Sequence, residues 1–368
     1  MTEPVRVLHV MGKMGAGGVE AFVMNHYRRI DRGRVQFDFM IDDDSTVVPR
    51  DEIEALGGRI AFVPDYKRLS AYLPSVQALL REWRPRIVHA HLNALSVIPL
   101  LGAKRAGVPV RIAHSHSTAA PGELVKNAAK AVLRPLSKTA PTHFAACSKH
   151  AAAWLFGERL VRQERVRIVR NAIDLPRFAP DLAVRHRLRT ELDIADDSHV
   201  VGCVGRLSAQ KNQLFLLDVF SRLLTTYPSA VLVLVGDGDL RGAVETKVAR
   251  LGIAGSVRLL GVRADVADLY QVMDVLAMPS TYEGLGMVAI EAEASGLSVV
   301  ASDRVPTEAD VTGLITFLPL EASIDSWVRA LKASFPDRRD RTAELAAAGY
   351  DIVRGAVMLG EWYRSMEG

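Results

Sequence analysis

Residues 279–303 read PSTYEGLGMVAIEAEASGLSVVASD. The Gly284-Leu285-Gly286 turn should open a helix near Gly286, and the apolar run Ser298–Ala301 should follow as a short strand. A turn, a helix and a strand in quick succession are the cadence of a parallel sheet with crossover helices. The helix start offers backbone N–H groups and the positive dipole end, which suit a phosphate. Glu291 lies about a turn and a half further in, where its carboxylate can accept hydrogen bonds from a vicinal diol such as ribose. Glu283 flanks the turn on the other side. Taken alone, the two carboxylates could equally be an acid–base couple.

The same alternation extends in both directions. Strands are expected at Val5–Val10, Phe37–Ile41, Arg59–Val63, Ile87–Ala90, Val110–His114 and His143–Ala146, with helices at Val19–Arg29, Leu69–Trp83 and Ala94–Ala106. A second series gives strands at His199–Val204, Ala230–Val235, Val257–Leu260, Val275–Met278 and Ser298–Ala301. Its helices are expected at Leu214–Thr225, Leu240–Leu251, Ala264–Gln271, Met287–Ala294 and Ser323–Ala333. The charged, proline-containing stretch after RIVRNAID (Arg167–Asp174), running to about Asp197, reads as an interdomain linker. The fold class is therefore α/β, with two doubly wound Rossmann-like domains in tandem and ligands at the carboxyl ends of the strands facing a cleft. The expected divisions are 1–178, 179–345 and a terminal helical segment 346–368 centred on Asp351–Arg364.

Several strand ends carry residues suited to an anionic ligand. VGCVGRLSAQKN (Val201–Asn212) places Arg206 directly after a buried strand and Lys211 five residues later. Two cations there are costly to cluster without an anion, and a diphosphate is a natural one; for an isolated pair, each snorkelling to water is the competing reading. The co-occurrence with residues 279–303 favours the anion. VGDGDL (Val235–Leu240) supplies another sharp strand-to-helix turn, and Val262 and Arg263 could offer backbone groups to a base edge. Near the start, MGKMGAGGVE (Met11–Glu20) is a glycine-rich turn that lacks the G-x-G-x-x-G spacing of a dinucleotide fingerprint.

Histidines cluster in VHAHLN (His89, His91) and IAHSHST (His114, His116). A histidine at a strand end can donate to a sugar hydroxyl or polarise a leaving group. The His-x-His spacing raises a metal site, but no carboxylate is near in sequence and no third ligand is evident, so no metal is expected; His89 and His91 are expected to be structural or supporting. GELVKNAAKAVLRPLSK (Gly122–Lys138) has apolar residues at helical spacing, with Lys126, Lys130, Arg134 and Lys138 repeating every four residues. Such a helix can lie on an anionic membrane surface or simply present a solvated face, and Pro135 should kink it.

The chain has 368 residues, long for one core. Its two cysteines, Cys147 and Cys203, sit in apolar runs and read as reduced core residues of a cytoplasmic protein. No apolar run is long enough to span a bilayer, and MTEPVRVLHVMG reads as a first strand rather than a secretion signal. The net charge of +4 argues mildly for an anionic partner, and nothing suggests nucleic acid.

Together, GGVEAFVMNHYRRID, AHSHST, FAACSKHAAAWLFG, VRNAID, VGRLSAQKN, VGDGDL, PSTYEGLGMVAIEAEASGL and AAAGYDI resemble the retaining glycosyltransferases of family 4, which have the GT-B fold, and among them bacterial exopolysaccharide and capsule enzymes. The resemblance spans nearly the whole chain. It implies a nucleotide-sugar donor, expected to be a UDP-sugar, and a lipid-linked or oligosaccharide acceptor, at the inner face of the cytoplasmic membrane. It implies that Arg206 and Lys211 hold the diphosphate, that Glu291 holds the ribose, and that Glu283 with Gly284, Leu285, Gly286 and Met287 orients the sugar. Gly17 and Gly18 would lie beside the diphosphate and acceptor, and His116 would face the donor sugar. The leaving phosphate would itself take the acceptor proton, with no metal and no separate base. The chain departs from many relatives at Ser298 and Gly286, where they carry proline, and Gly286 bears on donor identity. A nucleotide-sugar epimerase of the same fold and a non-catalytic nucleotide-sugar-binding subunit are the alternatives.

Overall fold

A computed structural model describes residues 3–15, 17–116, 133–334 and 338–367. The chain divides into two compact units: Met1–Ile173 with Gly349–Gly368, and Asp174–Ala348. Each is built on one parallel sheet of near-continuous aliphatic strands, as sheets covered on both faces require.

The first unit contains β1 (Val5–Gly12), β2 (Val35–Asp42), β3 (Ile60–Val63), β4 (Ile87–Ala90), β5 (Val110–Ser115), β6 (His143–Ala146) and β7 (Val166–Ile168), in the order β3-β2-β1-β4-β5-β6-β7. Helices Gly18–Arg29 and Ile352–Ser365 cover one face. There Phe22, Tyr27, Leu359 and Tyr363 pack on Val5, Val7, Phe37 and Ile112. Helices Leu69–Trp83 and Val97–Arg105 lie among the residues of the other core. The expected helix Ala94–Ala106 is instead a 3-10 turn, Asn93–Ser96, followed by Val97–Arg105. Helices Arg50–Ala55, Lys149–Phe156 and Glu158–Arg162 and strand β7 add to the expected set. The stretch Gly122–Lys138 lies outside the described residues up to 132; beyond that, Pro135 opens a 3-10 turn, Pro135–Lys138.

The second unit contains β8 (Val200–Val204), β9 (Val231–Val235), β10 (Val257–Leu259), β11 (Val275–Met278), β12 (Ser298–Ser302) and β13 (Ile315–Leu318), ordered β10-β9-β8-β11-β12-β13. Strand β13 and helix Thr342–Ala347 were not expected from the sequence.

The linker reading of residues 174–197 is corrected. Leu182–Glu191 is a helix capped by Asp181, whose carboxylate accepts from the N–H groups of Ala183 and Val184. Its Arg189 is only 1% exposed and donates to Asp274 Oδ2 at 2.7 Å, while Arg185 donates to Asp274 Oδ1 at 2.6 Å. The same carboxylate accepts from the Val200 N–H at the start of β8. A stretch that reads as solvated because it is charged is held in the second unit by those charges.

In each sheet the strand order reverses between two neighbours, β1 and β4 in one unit, β8 and β11 in the other. Successive crossovers leave such a pair in opposite directions, which opens a crevice outside their carboxyl ends. Gly17, Gly18, Arg206, Lys211 and Glu283 follow strands of these two pairs, while His116 follows β5 and Val262 and Arg263 follow β10.

Candidate active site

In the second unit the loops after β8 and β11 are stitched together. Thr281 N–H donates to Gln210 O at 2.8 Å, Gln210 Nε2 to Tyr282 O at 3.1 Å, and Asn212 Nδ2 to Pro279 O at 3.2 Å. Lys211 Nζ donates to Glu283 Oε1 at 2.7 Å, and Ser280 Oγ donates to the same oxygen at 2.8 Å. Ser280 O in turn accepts from Ser302 Oγ at the end of β12. Buried Glu283 is thus a fixed counter-charge for Lys211. Arg206, one residue beyond the end of β8 and Gly205, is exposed, and its guanidinium has no partner among the described residues. Its stem crosses Gly238, where a Cβ would come within 2.8 Å of Arg206 Cγ. One cation is neutralised at the switch point and one is left over.

Gly286 starts the helix Met287–Ala294 at φ +89°, a conformation open to glycine and forbidden to proline. A Cβ there would lie 3.2 Å from Met278 Cε and 3.3 Å from Val305 Cγ1. No side chain caps this helix start. Glu291, on the second turn, accepts from the Tyr270 hydroxyl at 2.7 Å. Burial pushes its carboxyl up to about 7, against the opposing effects of Tyr270 and Lys211. The wall of the site at β10 is Val262, 73% exposed, and Arg263, whose guanidinium is turned to Asp265 at 2.6 and 2.7 Å. The backbone of Gly236 bridges to Gly261, tying the loops after β9 and β10.

In the first unit, Gly17 caps helix Gly18–Arg29. Glu20 folds back over it: its Oε1 accepts from Gly15 N–H at 3.1 Å, and a Cβ on Gly17 would strike Oε2 at 2.6 Å. Gly18 faces open space. His116 follows β5, with its N–H held by Asn93 Oδ1 at 2.7 Å. It ends a group of buried histidines, His9, His89, His91, His114 and His116, on adjacent strands. The supposed lack of a third ligand for the His-x-His pair is corrected. Ring nitrogens of His91, His114 and His116 lie within 4.8 Å of one another, as do those of His9, His89 and His91. Register explains why sequence reading missed this: His9 pairs with His89 across β1 and β4, so residues 80 apart become neighbours. The roles of Tyr270, Ser280, Ser302 and Gln210 were also missed; the last three lie inside the quoted motifs, but their contacts depend on the fold.

The structure therefore gathers Arg206, Lys211, Glu283, Gly284–Met287, Glu291, Val262 and Arg263 at the carboxyl edge of the second sheet, and Gly17, Gly18 and His116 at that of the first.

Two Rossmann-like parallel sheets carrying these strand-end loops define a GT-B glycosyltransferase. The chain belongs to glycosyltransferase family 4: the description "Glycosyltransferase Family 4" matches residues 16–177 and "Glycosyl transferases group 1" matches residues 198–334. It is 36% identical over 356 residues to EpsF of Bacillus subtilis, named as a glycosyltransferase, covering 94% of this chain and 93% of that one. It is 26% identical over 286 residues to the UDP-Gal:alpha-D-GlcNAc-diphosphoundecaprenol alpha-1,3-galactosyltransferase of Escherichia coli, covering 76% and 73%. In fold it is similar to Anabaena HepE, solved with UDP and glucose, at TM-score 0.80 and 20% identity over 98% of this chain and 100% of that one.

Proposed function

We propose that this glycosyltransferase moves a sugar from a UDP-sugar, with retention, to a lipid-linked or polysaccharide acceptor in exopolysaccharide or capsule synthesis. The observation that carries this reading is the charge arrangement at the β8/β11 switch: a Lys211–Glu283 pair, with Arg206 left without a counter-charge among the described residues. An unmatched guanidinium at a strand's carboxyl end suits the diphosphate, which gains negative charge as the glycosidic bond breaks. Stabilising that charge is where the protein contributes most, since positioning and electrostatics together can replace a metal ion here.

Glu291 takes the ribose hydroxyls, for which its carboxylate must be ionised. The backbone at Gly284–Met287 and the uncapped helix start orient the sugar and phosphate, with Glu283 holding Lys211 in place. Val262 and the backbone at Arg263 lie against the base. His116, Gly17 and Gly18 serve the sugar and the acceptor. The acceptor hydroxyl gives its proton to the departing phosphate oxygen as it attacks the same face of the anomeric carbon. No additional base is needed. That the E. coli relative is named for a UDP-sugar donor and a diphospholipid-linked acceptor supports this choice of substrates, as does the solution of HepE with UDP and with UDP-glucose.

No helix among the described residues is long and apolar enough to cross a membrane. Work at the cytoplasmic membrane face would rest on the acceptor and on Gly122–Lys138, and salt-sensitive sedimentation with anionic but not neutral vesicles tests the latter.

The deciding experiment has two parts. Thermal-shift screening against UDP-, GDP- and ADP-sugars identifies the donor by the stabilisation that binding confers. Transfer is then followed, in the presence of a chelator, to a synthetic lipid-diphosphate sugar, with NMR of the product linkage. An α-linked product from an α-linked donor is expected. An inverted product would end the retaining reading, an isomerised donor without acceptor would indicate an epimerase, and binding without transfer to any acceptor would indicate a non-catalytic subunit.

A further inference from the structure

The buried histidines of the first unit form two hydrogen-bonded chains. In one, His9 Nδ1 meets His91 Nε2 at 3.0 Å and His91 Nδ1 meets His116 Nε2 at 2.9 Å. In the other, Tyr363 Oη meets His89 Nδ1 at 2.6 Å and His89 Nε2 meets His114 Nδ1 at 3.0 Å. No carboxylate, ammonium or guanidinium hydrogen-bonds to any of these five rings among the described residues. Burial, reinforced at most of the rings by the other histidines, holds them neutral, with His116 lowered to about 3.

A neutral imidazole carries one N–H and one lone pair. The chain His9–His91–His116 therefore has three N–H groups and two hydrogen bonds. The third N–H must sit at one end, on His9 Nε2 or on His116 Nδ1. Neither atom has a partner among the described residues. The ends differ. His9 is fully buried among Phe37, Phe39 and Tyr363, where an N–H would meet at best the face of the near-perpendicular Tyr363 ring, a weaker partner than an oxygen. A buried N–H without an acceptor is the costlier orphan. Both terminal nitrogens are buried and unpartnered, but His116 sits at the carboxyl edge of its sheet, where a ligand can supply an acceptor, whereas His9 lies in the interior.

We propose that His9 and His91 are positioning residues that fix the proton of His116 on Nδ1, so that His116 presents a hydrogen-bond donor to an acceptor oxygen of the bound ligand. All three rings share one tautomer, Nδ1–H, and the chain transmits it from the apolar interior to the sheet edge. The same nitrogens could instead hold a metal ion. Three neutral histidines can bind zinc without a carboxylate, but here the facing nitrogens of the rings hydrogen-bond to one another. The identity of the ligand as a donor sugar rests on the proposed transfer reaction; the tautomer does not.

The test is long-range ¹H–¹⁵N correlation spectroscopy of the full chain labelled at histidine, without nucleotide or sugar. Nδ1–H is expected at His9, His91 and His116. Nε2–H at any of the three, or a stoichiometric metal in the purified protein, overturns the proposal. His9→Asp puts an acceptor-only group where Nδ1 stood and should turn His91 and His116 to Nε2–H. His9→Asn, whose amide nitrogen can replace the donor, should keep Nδ1–H. If His9→Asp does not fold, the wild-type spectrum decides alone. Should the transfer reaction be established, His9→Asp is expected to lower kcat by about tenfold, the worth of one hydrogen bond, with His9→Asn nearer to wild type. Unchanged His91 and His116 tautomers in folded His9→Asp would refute the coupling, whatever the activity.

Discussion

Lys211 and Glu283 form a 2.7 Å ion pair between loops 72 residues apart, and both side chains are largely covered, with 18% of the lysine and 8% of the glutamate exposed. Removing the two cations of the site should therefore have unlike effects. Arg206→Ala removes an exposed guanidinium and should cut turnover by about 100-fold or more with an unchanged melting temperature. Lys211→Ala should cost similar turnover and about 2 kcal/mol of stability as well, because it strands a buried carboxylate. Steady-state kinetics beside chemical denaturation separates the two; equal stability of both variants would contradict the pairing.

Glu291 gives the site a pH dependence. Its folded-state pKa of about 7 lies above the usual carboxyl value near 4.5. Between those values the folded protein holds the proton more tightly than the unfolded chain, so stability falls as pH rises through this window and levels off above about 7. Glu291→Gln should abolish that fall, leaving the variant more stable than wild type at pH 8 by about 3 kcal/mol and no more stable at pH 4.5. Denaturation at the two pH values reads this. Nucleotide binding should move the opposite way in wild type, strengthening as Glu291 ionises, and isothermal titration across pH 6 to 8 provides the check.

Asp274 anchors the helix Leu182–Glu191 through Arg185 and Arg189 and also receives the Val200 N–H. Asp274→Ala leaves the fully buried Arg189 without its carboxylate, and a loss of about 3–5 kcal/mol is expected. A replacement of Arg189 and Asp274 together by apolar residues of matching volume should recover only part of it, since Arg185 and the Val200 N–H still lose their acceptor. Urea denaturation of the single and double variants measures the difference.

Gly286→Ala places a side chain at φ +89° within 3.3 Å of Met278 and Val305. The backbone term alone is about 1–2 kcal/mol. Proline at this position requires φ near −65° and hence a different loop path. Gly286→Pro should impair donor binding more than Gly286→Ala does, and thermal shifts with the preferred donor will rank them.

The sheets and the strand-end positions of the second-unit candidate residues were largely legible, because aliphatic runs mark parallel strands and glycine turns mark their ends. Strands such as Val275–Met278 and the helix Met287–Ala294 stand where periodicity and turn chemistry put them. What escaped was whatever depends on partners distant in sequence. Helix Leu182–Glu191 looks solvated until Asp274, 85 residues past Arg189, is seen to neutralise it. Strands Val166–Ile168 and Ile315–Leu318, no shorter than some that were legible, are edge strands that pair on one side only and extend sheets already formed. The histidine chains are invisible without strand register, and Tyr270 acquires meaning only beside Glu291.

The helix Ile352–Ser365 lies at the far end of the sequence yet supplies Leu359 and Tyr363 to the core of the first unit, and Tyr363 completes the hydrogen bonding of His89. During synthesis the seven strands emerge first, and an entire second sheet must follow before that helix arrives. Until then the apolar face beneath it stays open to water and His89 lacks its phenol. Interrupted chains thus carry an exposed patch that a protease or chaperone can recognise, so a helix made late seals the unit that began to fold first.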